Sequence, residues 1–141
     1  MKKGFTLLEA GLATAILSMI VYLASTSFLS LIPKYQLEKA VWEIRSALNA
    51  ARYKSLFEGV SYRVRFSDNG YTVERYDDTA KKWNPVGRRT LEGATVEANN
   101  APLFTPEGTV SGLATITVSN VRGKYKITLA ITGRIKSVRV S

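Results

Sequence analysis

Two kinds of side chain that carry much of enzyme chemistry are missing from this sequence, which has no histidine and no cysteine. Cys/His zinc sites, thiolate nucleophiles, disulfides and imidazole-based triads are therefore excluded. A serine activated by a lysine is the remaining nucleophile option, but no serine lies in a recognisable turn-to-helix elbow. Glycine-rich phosphate-binding patterns are absent as well. We therefore expect a protein that is not an enzyme and that needs no cofactor.

One pair of adjacent carboxylates, Asp77-Asp78, could in principle bind Ca²⁺ through oxygen ligands, with Asp68 and Glu74 nearby in sequence. The alternative is a solvated loop, which the local composition favours. We expect no metal site.

The basic residues suggest a different kind of site. Twenty Lys and Arg against eleven Asp and Glu give a net charge of +9, which favours an anionic partner. Residues 108–141 contain no acid, and four of their basic residues alternate along two expected neighbouring strands: Lys124, Lys126, Arg134 and Lys136. If these strands pair, the four side chains form a cluster. A phosphate-binding cluster and an exposed sheet face protected from aggregation are both consistent with this pattern.

A second basic group combines cations with an aromatic ring, a combination that suits phosphate contact and base stacking. It consists of Lys81-Lys82-Trp83 and Arg88-Arg89. The alternative, in which Trp83 folds onto the sheet from a hairpin loop, is the favoured interpretation of this residue.

Glu9 is the single side chain charged at neutral pH between Phe5 and Ile32, an apolar run long enough to span a membrane. A carboxylate inside a bilayer costs about 2.5 to 3.5 kcal/mol on insertion scales and usually marks function. Lys2 and Lys3 precede the run, so the positive-inside rule predicts a cytoplasmic N-terminus and an exported segment 34–141. A cleaved secretory signal, a plain anchor and a processed assembly helix are the three interpretations, and Glu9 fits the first two poorly.

The residues Gly4-Phe5-Thr6-Leu7-Leu8-Glu9, after a basic leader, resemble the prepilin motif of type IV pilins and type II secretion pseudopilins. The resemblance implies that a prepilin peptidase cuts after Gly4, leaving residues 1–4 as the leader and Phe5 as an N-methylated terminus. Glu9 matches the family glutamate that compensates the terminal amine of its own or a neighbouring subunit. A new terminal amine one helical turn from Glu9 would indeed give that buried charge a partner.

The elements that position these residues follow from the hydrophobic pattern. Residues 5–57 are predicted to form one helix, with 5–32 in the membrane or filament core and 34–57 amphipathic. Its apolar stripe comprises Leu37, Val41, Ile44, Leu48, Ala51 and Ser55. Pro33 is expected to kink or open the helix, and Gly59 to end it.

Residues 58–141 are predicted to form an antiparallel sheet, so the fold class is α+β. We expect strands over 60–66 and 71–76 joined by Asp68-Asn69-Gly70, a polar loop over 77–87, and a weaker strand near 91–98. A second hairpin is expected over 113–119 and 124–131, followed by a last strand over 134–140.

This second part resembles type II secretion system protein H and the related FimT-type minor pilins. The resemblance rests on Leu48-Asn49-Ala50-Ala51-Arg52, on Leu103-Phe104-Thr105-Pro106-Glu107-Gly108 and on Ile127-Thr128-Leu129 leading into Gly133-Arg134-Ile135. It implies the pilin fold and a minor subunit near the tip of a type II secretion pseudopilus or type IV pilus. The implied partners are the prepilin peptidase, other pilins or pseudopilins and the inner membrane, which holds the chain by a single pass.

An alternative function follows from the FimT-type resemblance, which implies DNA binding during natural transformation through a C-terminal Gly-Arg-x-Arg motif. The matching residues here are Gly133-Arg134-Ile135-Lys136. Lys136 keeps the charge of the second arginine but lacks its bidentate geometry.

Overall fold

The structure, a computed structural model, describes residues 6–140 apart from the side chains at positions 26 and 27. The chain divides between Ile32 and Pro33 into two compact units. One helix precedes nine strands in chain order: α1 Leu7–Glu58, β1 Tyr62–Ser67, β2 Gly70–Asp77, β3 Lys82–Thr90, β4 Thr95–Ala98, β5 Leu103–Phe104, β6 Val110–Ser111, β7 Thr115–Asn120, β8 Gly123–Leu129 and β9 Ile135–Val140.

Both ends of α1 carry recognisable caps. Thr6 precedes the helix, and its hydroxyl oxygen accepts a hydrogen bond from the Glu9 amide at 3.2 Å. At the other end Gly59 has a φ of 65°, and its amide donates to the Ser55 carbonyl at 3.1 Å. This left-handed residue closes the last turn, as the sequence predicts.

The second part of α1 carries the predicted apolar stripe. Its residues are buried, with Ile44, Leu48 and Ser55 fully inaccessible. The Ser55 hydroxyl, although buried, donates to the Arg52 carbonyl at 2.8 Å. The amphipathic interpretation of 34–57 is therefore confirmed, and the polar member of the stripe has its hydrogen bond.

The strands form two antiparallel sheets instead of the single sheet that the sequence pattern predicts. The first sheet has the order β3-β2-β1-β5-β6, and the second has the order β4-β7-β8-β9. Where the two sheets approach, the Val96 amide of β4 donates to the Asp68 carbonyl in the β1–β2 turn at 2.8 Å.

A single core joins α1 to both sheets. Six of its described side chains are fully inaccessible: Ile44 and Leu48 of the helix, Val64 of β1, Ile116 and Val118 of β7, and Ile127 of β8. Burying a side chain of this size contributes about 1.5 to 3 kcal/mol. The α+β class, with an antiparallel domain packed on a long N-terminal helix, is therefore confirmed.

The expected opening of the helix at Pro33 is wrong, because α1 continues through this residue. Proline in a helix removes one hydrogen bond and costs about 3 kcal/mol. The apolar stripe that begins at Leu37 continues to hold the following turns on the sheets. The Pro33 carbonyl also accepts a hydrogen bond from the Asn120 side-chain amide at 2.6 Å.

The expected polar loop over 77–87 is also wrong, because most of it belongs to β3. This strand pairs with β2 from Gly70↔Thr90 to Asp77↔Lys82, with an irregularity next to Val73. As the edge strand of the first sheet it is largely exposed, so it shows no alternation of apolar and polar residues. The weaker strand near 91–98 is shorter than expected and spans Thr95–Ala98.

Candidate functional sites

The N-terminal site falls partly outside the described residues, since Gly4 and Phe5 precede them. Glu9 lies in the first turn of α1 and is exposed. Its amide is capped by Thr6, and this capping role does not follow from the prepilin motif. The pattern Thr6-x-x-Glu9 is that of a capping box, the local signal from which the role of Thr6 could have been predicted.

The apolar segment that follows Glu9 is exposed in the isolated chain at the positions whose side chains the structure describes. Its large side chains are exposed, from Leu7 at 93% to Ile32 at 48%. By length and composition α1 contains a segment that could cross a membrane. Lipid or other apolar helices must cover these side chains, because water exposure of so large an apolar surface is unfavourable.

Three of the four predicted basic residues, Lys124, Lys126 and Lys136, lie on two paired strands. Lys126 is opposite Val138, and Thr128 is opposite Lys136. Residues directly opposite in an antiparallel pair point to the same face, so Lys126 and Lys136 are diagonal neighbours. Lys124 is two residues from Lys126 on the same face of β8, whereas the alternating residue Ile127 is buried.

Arg134 precedes β9 in the turn that joins it to β8, where its carbonyl accepts from the Ala130 amide at 3.0 Å. Together with Thr128 and Lys136 it lines a shallow depression at this end of the second sheet. Within residues 6–140, none of the salt bridges involves Lys124, Lys126, Arg134 or Lys136. The four cations therefore lie spread along the β8–β9 pair, from Lys124 opposite Val140 to Arg134 in the turn at the other end of the strands.

Gly133, the first residue of the Gly-Arg-x-Lys motif, has a structural reason to be glycine. Its φ is 79°, and a Cβ at this position would lie 2.6 Å from Nε of Arg52 on α1. Nε of Arg52 is buried and has no hydrogen-bond partner among the described residues. Two of the three motifs of the second resemblance, the one that ends at Arg52 and the one that contains Gly133, thus contact each other where the β8–β9 turn meets the helix.

The second basic group is arranged differently from the expected combination of cations around a free ring. Trp83 lies in β3, and the Arg63 guanidinium carbon is 4.3 Å from the centroid of its ring system. Arg63 also binds the Glu74 carboxylate, with Nε to Oε2 at 2.7 Å, and Arg65 Nη1 is 3.5 Å from Oε1. One face of the indole is therefore already covered by a cation, and the buried Glu74 is compensated by two arginines.

The candidate cation site at Asp77 and Asp78 is a turn. Both Asp77 oxygens accept hydrogen bonds: Oδ1 from the Thr79 and Ala80 amides at 3.0 Å, and Oδ2 from the Asn84 side chain at 3.3 Å. These hydrogen bonds lower the pKa of Asp77 below its ordinary value, and the bond from the Ala80 amide has the largest effect. Among the described residues no group of three or more carboxylates could hold a metal ion.

A carboxylate at the end of α1 binds two strands of the first sheet. The Tyr62 hydroxyl donates to Oε2 of Glu58 at 2.7 Å, and Arg75 Nε donates to the same oxygen at 3.1 Å. The hydrogen bond from Tyr62 is the main cause of the lowered pKa of Glu58. Burial is the main cause of the raised pKa of Tyr62, and its contact with Glu58 is the second cause.

No protein-family model matches the chain. It is 30% identical over 108 residues to the type II secretion system protein H of Pseudomonas aeruginosa, and the alignment covers 72% of this chain. The chain spans 62% of the length of that relative.

Solved structures share the fold. The minor pseudopilin EpsH from the type 2 secretion system of Vibrio cholerae matches with a TM-score of 0.65 at 12% identity, over 77% of this chain and 96% of that one. The type IV minor pilin FimU of Pseudomonas aeruginosa matches with a TM-score of 0.59 at 15% identity, over 73% and 88%. The protein H relative and the shared fold together confirm that this chain resembles the type IV pilins and pseudopilins, and among them the minor subunits of the protein H type.

Proposed function

We propose that this chain is a minor pseudopilin or pilin that supports protein secretion or pilus biogenesis. The observation that carries the proposal is the 30% identity to a type II secretion system protein H, on a fold shared with EpsH and FimU. The role is structural and not catalytic. The subunit lies near the tip of a short filament, where it contacts other pilins or pseudopilins.

The proposed organisation follows the sequence. Residues 1–4 are a leader that a prepilin peptidase removes after Gly4, and Phe5 becomes the methylated terminus. Residues 5–57 form the pilin helix, of which 5–32 span the inner membrane before assembly. Residues 58–141 form the exported β domain. The exposed apolar side chains from Leu7 to Ile32 support this arrangement, because they need lipid or neighbouring helices to cover them.

Glu9 is the residue on which assembly depends in this proposal. Cleavage after Gly4 creates a cationic amine at the beginning of α1. In a filament core of low dielectric, an unpaired carboxylate is costly, whereas a carboxylate paired with the amine of a neighbouring subunit is stabilised. A single pair of this kind can fix the stagger between otherwise apolar helices.

The test is a comparison of Glu9→Gln with Glu38→Gln, a matched change on the exposed, non-membrane part of α1. Each full-length variant is produced in cells that contain a prepilin peptidase and a type II secretion or type IV pilus machine. Mass spectrometry of the wild type should find a methylated Phe5 terminus. Glu9→Gln should still be cleaved but absent from sheared filaments, whereas Glu38→Gln should be incorporated normally. An unprocessed Met1 terminus, or normal incorporation of Glu9→Gln, would contradict the proposal.

A second candidate function is DNA binding for uptake in natural transformation. The observation in its favour is the row of four cations along β8, β9 and their turn, none of which forms a salt bridge among the described residues: Lys124, Lys126, Arg134 and Lys136. Phosphates would bind to such a surface and release counterions.

DNA binding is tested by titrating the full chain in a neutral detergent with a labelled duplex at several salt concentrations. The log-log salt slope should fall by about 0.9 for each phosphate contact that is lost. The double variant Arg134→Ala/Lys136→Ala should therefore reduce the slope, whereas the control Lys81→Ala/Lys82→Ala should leave it unchanged. Equal slopes for the two variants, or no binding at low salt, would eliminate this function.

A further inference from the structure

The outer edge of the second sheet is formed by β9, which pairs with β8 on one side. The strand has six residues, Ile135–Val140, and contains no proline. Its register with β8 is continuous from Leu129↔Ile135 to Lys124↔Val140. β9 is therefore a regular edge strand of the kind that can accept a further strand.

Two backbone hydrogen bonds show which groups of β9 point outward. Ala130 donates to the Arg134 carbonyl across the turn, whereas Leu129 donates to Ala114 on the opposite side of β8. Narrow and wide pairs alternate in an antiparallel ladder, so residues 134, 136, 138 and 140 bond to β8. The amides and carbonyls of Ile135, Ser137 and Arg139 point away from the sheet and have no backbone partner among the described residues.

The other sheet edges are less suited to pairing. The β4 edge is met by the β1–β2 turn through the bond between Val96 and Asp68. β6 has two residues, and Val110 in it already donates to the Ile131 carbonyl. β3 is interrupted by Pro85 and by its irregular register with β2. Among the described edge strands, β9 is thus the long one whose outward backbone groups are not obstructed by a turn, a proline or an irregular register.

The charged side chains on β9 and in the turn before it are basic. Lys136 and Arg139 lie on β9 and Arg134 precedes it, and residues 108–141 contain no acid. From the helix side, Arg45 Nη1 contacts the Ser137 hydroxyl at 3.4 Å. A strand that carries carboxylates would gain charge pairs along its whole length, whereas the same edge of a second copy would be repelled.

We propose that the outer edge of β9 binds an extended, acidic segment of another filament subunit as an added strand. Backbone hydrogen bonds to Ile135, Ser137 and Arg139 supply the pairing, and the surrounding cations select acidic over basic segments. This inference rests on the proposed function for the identity of the partner. The chemistry of the edge is independent of it.

The first test uses the full chain in a neutral detergent and a short labelled peptide that alternates glutamate with valine and threonine. Ser137→Pro removes one outward amide and leaves the bonds to β8 intact, a position at which an edge strand accepts proline. Ser137→Ala is the matched control, because both variants lose the contact with Arg45. The proline variant should bind the peptide at least about fivefold more weakly than the alanine variant.

Two altered peptides test the proposal without changing the protein. A peptide with lysine in place of glutamate should not bind. A peptide methylated on the backbone nitrogens of one edge should bind at least about tenfold more weakly than the unmodified one. Equal affinity of the methylated peptide, equal affinity of the two Ser137 variants, or binding of a DNA duplex without binding of the acidic peptide would overturn the proposal.

A cellular experiment separates this inference from the proposed function. If Glu9→Gln is lost from filaments while Ser137→Pro is incorporated with the same neighbours as Ser137→Ala, the strand-addition proposal fails and the pilin function stands. If both Glu9→Gln and Ser137→Pro are incorporated like the wild type, the assembly role of Glu9 fails as well, and if the wild type itself is absent from the filaments, the pilin proposal fails. Selective loss of a neighbouring subunit from Ser137→Pro filaments supports the proposal.

Discussion

Replacing Gly133 by alanine tests the contact between the two motifs that α1 and the β8–β9 turn contribute. The φ of 79° is in the left-handed region, which costs a residue with a Cβ about 1 to 2 kcal/mol. The new Cβ would also lie 2.6 Å from Nε and 2.7 Å from Cζ of Arg52. Moving a packed side chain of this kind costs about 1 to 3 kcal/mol. The expected total is a loss of about 2 to 5 kcal/mol in the free energy of unfolding.

Chemical denaturation followed by tryptophan fluorescence measures this loss. Both tryptophans, Trp42 and Trp83, lie after Pro33, so the signal reports the unit that contains the β domain. Gly87→Ala is the control, because its φ is not positive and no atom lies within 4 Å of the added Cβ. We expect this control to change the stability by less than about 0.5 kcal/mol.

A double-mutant cycle separates the two contributions. In an Arg52→Ala background the steric contact is gone, so Gly133→Ala should cost only the backbone contribution of about 1 to 2 kcal/mol. If Gly133→Ala costs the same in both backgrounds, the contact with Arg52 contributes nothing. A cost below about 0.5 kcal/mol in the wild-type background would refute the backbone argument too.

Three further changes test other parts of the fold. Leu48→Ala, at a fully inaccessible position, should destabilise the β domain by about 2 to 5 kcal/mol in denaturant titrations. Because folding lowers the pKa of Glu58, its carboxylate stabilises the fold at pH values above 4.5, the ordinary pKa of the group. This stabilisation is lost as the pH falls through the lowered pKa. Glu58→Gln should therefore be less stable than the wild type at neutral pH and lose less stability on acidification, as followed by thermal unfolding from about pH 6 to pH 3. Asn120→Ala removes the bonds from its side-chain amide to the Pro33 and Gly93 carbonyls and the bond that it accepts from the Arg122 amide. It should cost about 1 to 3 kcal/mol in the same assay, whereas an unchanged midpoint would show that these bonds together contribute nothing.

The helix and the hairpins could be predicted from the sequence because their patterns are local. The stripe from Leu37 to Ser55 repeats at helical spacing, and Asn69-Gly70 marks a tight turn between alternating strands. β3 could not be predicted in this way. An exposed edge strand needs no apolar face, and Pro85 and Gly87 suggest a loop even though the backbone of Lys82–Thr90 pairs with β2.

The division into two sheets was also beyond sequence reasoning. Alternation shows which side chains share a face, but not which strands pair. β1 pairs with β5 at Tyr62↔Phe104, a contact between distant segments that only tertiary packing selects. β5 and β6, with two residues each, are too short to show any period.

For the candidate basic cluster, the sequence predicts which face of each strand carries the basic residues, but not the distances between them. The alternation of Lys124 and Lys126, and of Arg134 and Lys136, is visible in the sequence. Their diagonal arrangement depends on the register in which Thr128 meets Lys136. The contact between Gly133 and Arg52 left no local signal, since the two residues belong to different elements.

The position of β1 in the first sheet has a consequence for the order in which the domain folds. β1 and β2 are joined by a short turn and can pair early, whereas β5 reaches the other side of β1 only when the long loop between them, which contains β2, β3 and β4, has closed. Closing such a loop costs chain entropy before the contacts form and slows folding. Until then one edge of β1 stays open, so a newly made chain is most prone to wrong pairing before Phe104 reaches Tyr62. Completion of this pairing, more than formation of the helix, should set the rate at which the subunit becomes ready to assemble.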